Sequence, residues 1–99
     1  MSAVQYEVRA IIREDLCAAF EKYMIEVHIP QVMATNAFLS AHLAVLEPGK
    51  YRAAYTSPSH EVLRKYLTNV SPRLRDDVAK HFPDGVEFSR EEWNVLATF

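Results

Sequence analysis

The sequence is short of several things, and each shortage excludes a class of chemistry. It holds one cysteine, Cys17, and two glycines, Gly49 and Gly85, in 99 residues. A lone cysteine forms no internal disulfide and supplies no metal cluster. With glycine confined to those positions, there is no Gly-rich phosphate loop and no dinucleotide fingerprint. There is no G-x-S-x-G elbow, and no Cys/His spacing suits zinc. No apolar run approaches the roughly 18 residues that a membrane helix needs. Neither sign of charge dominates: Lys+Arg is 11 against Asp+Glu 13, a formal net charge of -2. Nucleic-acid binding therefore lacks its electrostatic footprint. The opening Met1-Ser2-Ala3-Val4-Gln5-Tyr6-Glu7 has no long apolar region behind a basic flank, so no secretory signal is expected. The expectation is a soluble, cytoplasmic protein working without metal, cofactor, nucleic acid or membrane.

What is present is ordinary globular composition, 49% hydrophobic and 24% charged, which argues against disorder. The length predicts a single domain over residues 1–99. A chain this short buries only about 60–68% of the surface its unfolded form exposes. A partner would add to its stability.

Val4, Tyr6, Val8, Ala10 and Ile12 alternate with Gln5, Glu7 and Arg9, the period-2 signature of a strand with one buried face. Arg13-Glu14-Asp15 opens a helix, with its acids near the positive end of the dipole. Leu16, Phe20, Tyr23, Met24 and Val27 make its apolar stripe, with Glu21, Lys22 and Glu26 opposite. Pro30 is expected to end this helix at His28 by pushing Ile29 out of the α region, making His28-Ile29-Pro30 a corner. The second strand, Ala37–Leu46, is apolar on both parities. Pro48-Gly49 makes a tight turn into a return strand from Tyr51 to Thr56. With Pro48 and Gly49 as the loop residues, His42 is expected to face Tyr55 across the hairpin.

Ser57 and Pro58 are expected to start the second helical region, whose stripe is Val62, Leu63, Tyr66, Leu67 and Val70. Ser71-Pro72 repeats the start signal, predicting a bent or two-piece helix carried on by Leu74, Val78 and Phe82. Pro83-Asp84-Gly85 stops it. Val86 and Phe88 begin a last strand that Trp93, Val95, Ala97 and Phe99 finish on the opposite parity. A bulge or kink at Ser89-Arg90-Glu91-Glu92 is therefore expected. The order β-α-β-β-α-β is the α+β ferredoxin-like plait, a four-stranded antiparallel sheet with helices on one face. The second strand is apolar on both sides, so a second copy of the chain is expected to cover the open face.

The segment His28-Ile29-Pro30-x-Val32-x-x-Thr35-x-x-Phe38 resembles the H-I-P-x-V-x-x-T-G-x-F signature of a bacterial family described as a domain of unknown function. Ser71-Pro72-Arg73-Leu74-Arg75 is similar to that family's A-P-K-L-R segment. Asn36 departs from the signature's glycine, and asparagine tolerates the left-handed backbone such a turn needs. The resemblance covers nearly the whole chain. It implies the dimeric α/β-barrel superfamily, and no chemistry.

Among chemical candidates, His28 either caps helix carbonyls or points into a pocket between helix and sheet. His42 and Tyr55 either hydrogen-bond one another or form a pocket wall with Ser40 and Tyr51. Trp93 either lines that pocket or anchors an interface. Cys17 reads as a small buried hydrophobe, and His60 and His81 as solvated helix ends. Arg73, Arg75, Asp76 and Asp77 read as an exposed helix face. The expected ligand site is therefore His28, His42, Tyr55 and Trp93, for a small apolar molecule bound by a homodimer. The alternative is an enzyme like the cofactor-independent monooxygenases or haem-degrading proteins of the superfamily, a fold-level analogy. A cavity of roughly 300 Å³ or more reached by His28 or His42 separates a working pocket from a collapsed interior.

Overall fold

The computed structural model describes residues 3–99. The strands are β1 (Val4–Ile12), β2 (Ser40–Glu47), β3 (Lys50–Ser57) and β4 (Val86–Asn94), in the order β2-β3-β1-β4. All neighbouring pairs are antiparallel. Between β1 and β2 run a short turn of 3-10 helix (Glu14–Leu16), helix α1 (Cys17–Tyr23), a π-helical turn (Met24–His28) and helix α2 (Ile29–Met33). Helices α3 (His60–Asn69) and α4 (Ser71–His81) connect β3 to β4. The helices cover one face of the sheet, which is the ferredoxin-like arrangement.

The predicted β1 alternation places Tyr6, Ala10 and Ile12 in the core with Tyr51, Ala53 and Tyr55 of β3. Helices α1, α2 and α3 each contribute an anchor: Phe20, Val32 and Leu63 are 1%, 1% and 0% exposed. Full burial of such a side chain contributes about 1.5–3 kcal/mol. The two-piece second helix is as expected, broken at Val70. Its cap is not Ser57 but Ser59, whose hydroxyl accepts from Val62 N–H, while the Ser57 hydroxyl donates to the Ser59 carbonyl. Ser59 is the residue in extended conformation directly before the helix, which a capping side chain requires.

Three other expectations change. Pro30 does not end the helix: His28 and Ile29 both keep right-handed helical angles. Instead the turn before it widens, and Ile29 N–H bonds to Met24 C=O, five residues back. A wider turn ahead of a proline relieves the crowding between its ring and the carbonyl one turn earlier. The chain reverses later, at Ala34–Asn36, where Asn36 has φ +63°, the left-handed conformation anticipated for it. The last strand has no bulge. Its register runs unbroken from Ile12↔Val86 to Val4↔Asn94, so Arg90 and Glu92 share the helix-side parity of Val86 and Phe88. Finally, β2 has a bulge at Leu46, between the pairs Val45↔Tyr51 and Glu47↔Lys50. The two-residue turn is as expected, with Gly49 at φ +89° and its carbonyl accepting from Ile12 N–H at 2.8 Å. The bulge nevertheless moves every β2 residue beyond it by one place.

Candidate functional site

A cavity of about 310 Å³ lies between the helices and the sheet, at the lower end of the range for small-molecule sites. Its apolar wall includes Met24, Leu74, Val78, Phe82 and Phe88. Its polar lining consists of His28, Tyr6, Tyr55, Tyr66, Ser71, Arg75 and Arg90.

His28 reaches this cavity because of the π turn. Following Tyr23 in α-helical register, the next inward position is Val27, which the stripe predicted to be buried. The wide turn shifts that position to His28, and Val27 is 38% exposed. The imidazole stacks near Tyr23 at a centroid distance of 6.2 Å. Its Nδ1 is sealed from solvent and has no hydrogen-bond partner. Burial lowers the pKa of the ring below the usual histidine value, nearby Arg90 lowers it further, and Asp77 opposes both. At neutral pH the ring is neutral and able to donate or accept.

The tyrosines are held by Phe38, the last residue of the H-I-P-x-V-x-x-T-x-x-F segment. Its ring centroid lies 5.0 Å from Tyr55, 4.9 Å edge-on from Tyr66 and 6.3 Å from Tyr6. Burial keeps the Tyr55 phenol protonated far above its usual range and pushes Tyr66 up to about 12. Arg75 Nη2 donates to Tyr6 Oη at 3.4 Å, and the Arg90 guanidinium lies 5.7 Å over the Phe88 ring.

The four residues expected to share a site do not share one. His28 and Tyr55 line the cavity together. His42 pairs with Ala54, and Tyr55 with Ala41, so His42 points to the open face, together with Ser40. Trp93, opposite Gln5, is on that open face as well and is 48% exposed. The bulge at Leu46 is the reason for His42, and the unbroken β4 register is the reason for Trp93. Tyr51 lies on the helix side, hydrogen-bonded to Glu21. Tyr6, Tyr66, Ser71 and Arg90 join the cavity without a sequence motif that marks them, and Arg75 lines it instead of lying on a plain exposed helix face. The available signal was Arg90 itself, an arginine at the helix-side parity set by Val86 and Phe88. A larger hollow, about 740 Å³, spreads over the open sheet face beside Arg9, Ile11 and Arg52. Among the described residues no group of three or more His, Cys, Asp or Glu side chains is placed to hold a metal ion, and no helix is long and apolar enough to cross a membrane.

Residues 3–96 match the family described as Domain of unknown function (DUF4286). The chain belongs to that family. Curated proteins give no match. Solved structures do. A protein of unknown function from Nitrosomonas europaea has a TM-score of 0.77 at 14% identity, covering 100% of this chain and 94% of that one. A "putative antibiotic biosynthesis monooxygenase" from Caulobacter crescentus gives 0.75 at 14%, covering 97% and 92%. A dimeric ferredoxin-like protein from an uncultured marine organism gives 0.67 at 10%, covering 100% of both chains. At these identities the likeness is one of fold.

Proposed function

We propose that this protein binds a small molecule in the cleft between its helices and sheet, and does so as a homodimer joined through the open sheet faces. The cavity of about 310 Å³ carries the first half, because it brings His28 and three tyrosines to one apolar wall. A collapsed interior would leave no such space. The second half rests on the apolar side chains left uncovered: Ile11 and Trp93 of the open face are 54% and 48% exposed. A structural neighbour is itself described as dimeric. Each protomer is expected to hide about 800 Å² or more at the contact.

Ligand binding is tested by titrating small aromatic compounds against the isotope-labelled protein and following backbone amide resonances. Shifts concentrated at Met24–His28 and along the cavity-lining part of α4 support the reading. A panel that leaves those resonances unmoved at millimolar concentration refutes it. Sedimentation velocity at micromolar concentration tests the dimer, and a stable monomer refutes it.

A second reading makes the same cleft an active site, in the manner of the monooxygenase named among the structural neighbours. The neutral His28 ring favours it, being a base within the cavity. Oxygen consumption by the protein with a bound aromatic substrate separates catalysis from binding.

A further inference from the structure

We propose that the ligand of the helix–sheet cleft is a flat aromatic acid whose carboxylate sits between Arg75 and Arg90; this rests on the reading of the cleft as a ligand site. The sequence pointed to an apolar ligand, but the charges lining the cavity say otherwise; Asp77, which acts on His28, lies outside that lining. Arg75 and Arg90 are the formally charged residues in its lining, and no aspartate or glutamate joins them. Neither arginine has an acidic partner within 4.0 Å among the described residues; Arg52 and Arg73 share that condition, but only Arg75 and Arg90 line the cleft. The acid nearest Arg90 on the same face of β4 is Glu92, and it is engaged by Arg64 of α3.

In a chain of net charge -2, two unneutralised cations converge on one small apolar cleft. Such a pair favours an anion of complementary shape, and arginine presents its donors in a fork that fits a carboxylate. The groups beside them match that role. The Tyr6 hydroxyl already accepts from Arg75 and keeps its own proton to donate. The rest of the wall is aromatic and aliphatic, suited to a flat apolar body. His28, neutral and at the same cavity, adds no competing negative charge.

The test compares 2-naphthoate with 2-naphthamide, a neutral molecule of the same shape, by isothermal titration calorimetry on the intact protein. Naphthoate is expected to bind about tenfold more tightly, the difference between a charge-assisted and a neutral hydrogen bond. Arg90→Gln and Arg75→Gln should each remove about that factor for naphthoate and leave naphthamide unchanged. Arg75→Lys should restore part of it. Arg73→Gln, in a separate surface groove on the same helix, should change neither. Equal affinity for the two probes overturns the acid assignment and leaves the cleft a binding site. Loss of naphthoate binding in Arg52→Gln rather than Arg90→Gln places the anion on the open face and overturns it too. Failure of both probes to bind at millimolar concentration overturns the cleft reading itself. All these arginines are exposed, so the variants should fold, and circular dichroism checks that they do.

Discussion

Replacing Tyr23 by phenylalanine should stabilise the protein, and the same substitution at Tyr51 should destabilise it. Both rings are buried, at 7% and 5% exposure, so the contrast isolates the hydroxyl. The Tyr23 ring packs 4.3 Å from His81 and edge-on at 5.7 Å from Phe82, contacts that phenylalanine keeps. Its hydroxyl is sealed from solvent with no partner. Burial raises its pKa, so it remains a neutral, unsatisfied donor. A buried polar group in that condition costs about 1–3 kcal/mol. Removing the oxygen leaves a small void that takes back part of this, for a net gain of about 1 kcal/mol. The melting temperature of a domain this size should then rise by about 4–8 °C.

At Tyr51 the hydroxyl donates to Glu21 Oε2 at 2.5 Å. Hydrogen bonds to charged groups contribute about 1.5–3 kcal/mol. Glu21 is exposed and regains water when the bond is lost, so the expected loss falls below that range, at about 1 kcal/mol. Urea unfolding followed by circular dichroism, at one protein concentration because association shifts the midpoint, measures both. The midpoints should move in opposite directions with unchanged slope. A lower midpoint for Tyr23→Phe would show that its hydroxyl is satisfied, and the reasoning would fail.

Acid should also destabilise the fold through His28. Its folded pKa is lowered, so the unfolded chain takes up the proton first; stability is complete above about pH 6.5 and drains away as pH falls toward the lower folded value. His28→Leu should flatten the dependence of the urea midpoint on pH between about 7 and 5, and an unchanged slope would contradict the burial argument. Asn36→Ala should cost about 1 kcal/mol because a Cβ is strained at φ +63°, whereas Asn36→Gly should be nearly neutral in the same titration. Ser59→Ala should cost about 1 kcal/mol through the lost cap to Val62 N–H, while Ser57→Ala, one hydroxyl away from the helix, should not expose a helix-terminal donor.

The strand and helix order was legible because it depends on periods that many residues repeat. The alternation of Val4 through Ile12 survives any single exception, and so do the stripes of α3 and α4. The left-handed turn was legible from one residue, because Asn36 is among the few types that adopt that conformation readily. Half of the site was legible for a similar reason: Tyr55 lies in a strand whose parity is anchored by Tyr51 and Ala53. His42 and Trp93 were misplaced because their faces depend on single-residue events. The bulge at Leu46 has no marker in the sequence beyond the neighbouring turn, and inserting one residue exchanges the two faces of everything past it. Continuity through Ser89-Arg90-Glu91-Glu92 was equally hidden. β4 is an edge strand, and polar residues on its core-side parity do not interrupt its pairing with β1.

The π turn is the helical counterpart of that bulge, and it bears on function more than on stability. A continuous α-helix would have placed Val27 inward and left His28, one turn after Met24, at the flank of the buried stripe. Pro30 explains part of the departure, since it offers no N–H to a carbonyl one turn earlier and its ring crowds that carbonyl. A wider turn just before it relieves the crowding. What the turn brings inward is less favourable for folding than what it turns outward: a histidine with a sealed, unpartnered nitrogen replaces a valine that would have contributed burial. Local choices in a foldable sequence normally agree with the core, and exceptions gather where a site needs them. Here the exception places a neutral imidazole in the one cavity where Arg75, Arg90 and three tyrosines converge. Stability alone does not account for that exchange, whereas the ligand binding proposed for the cleft would.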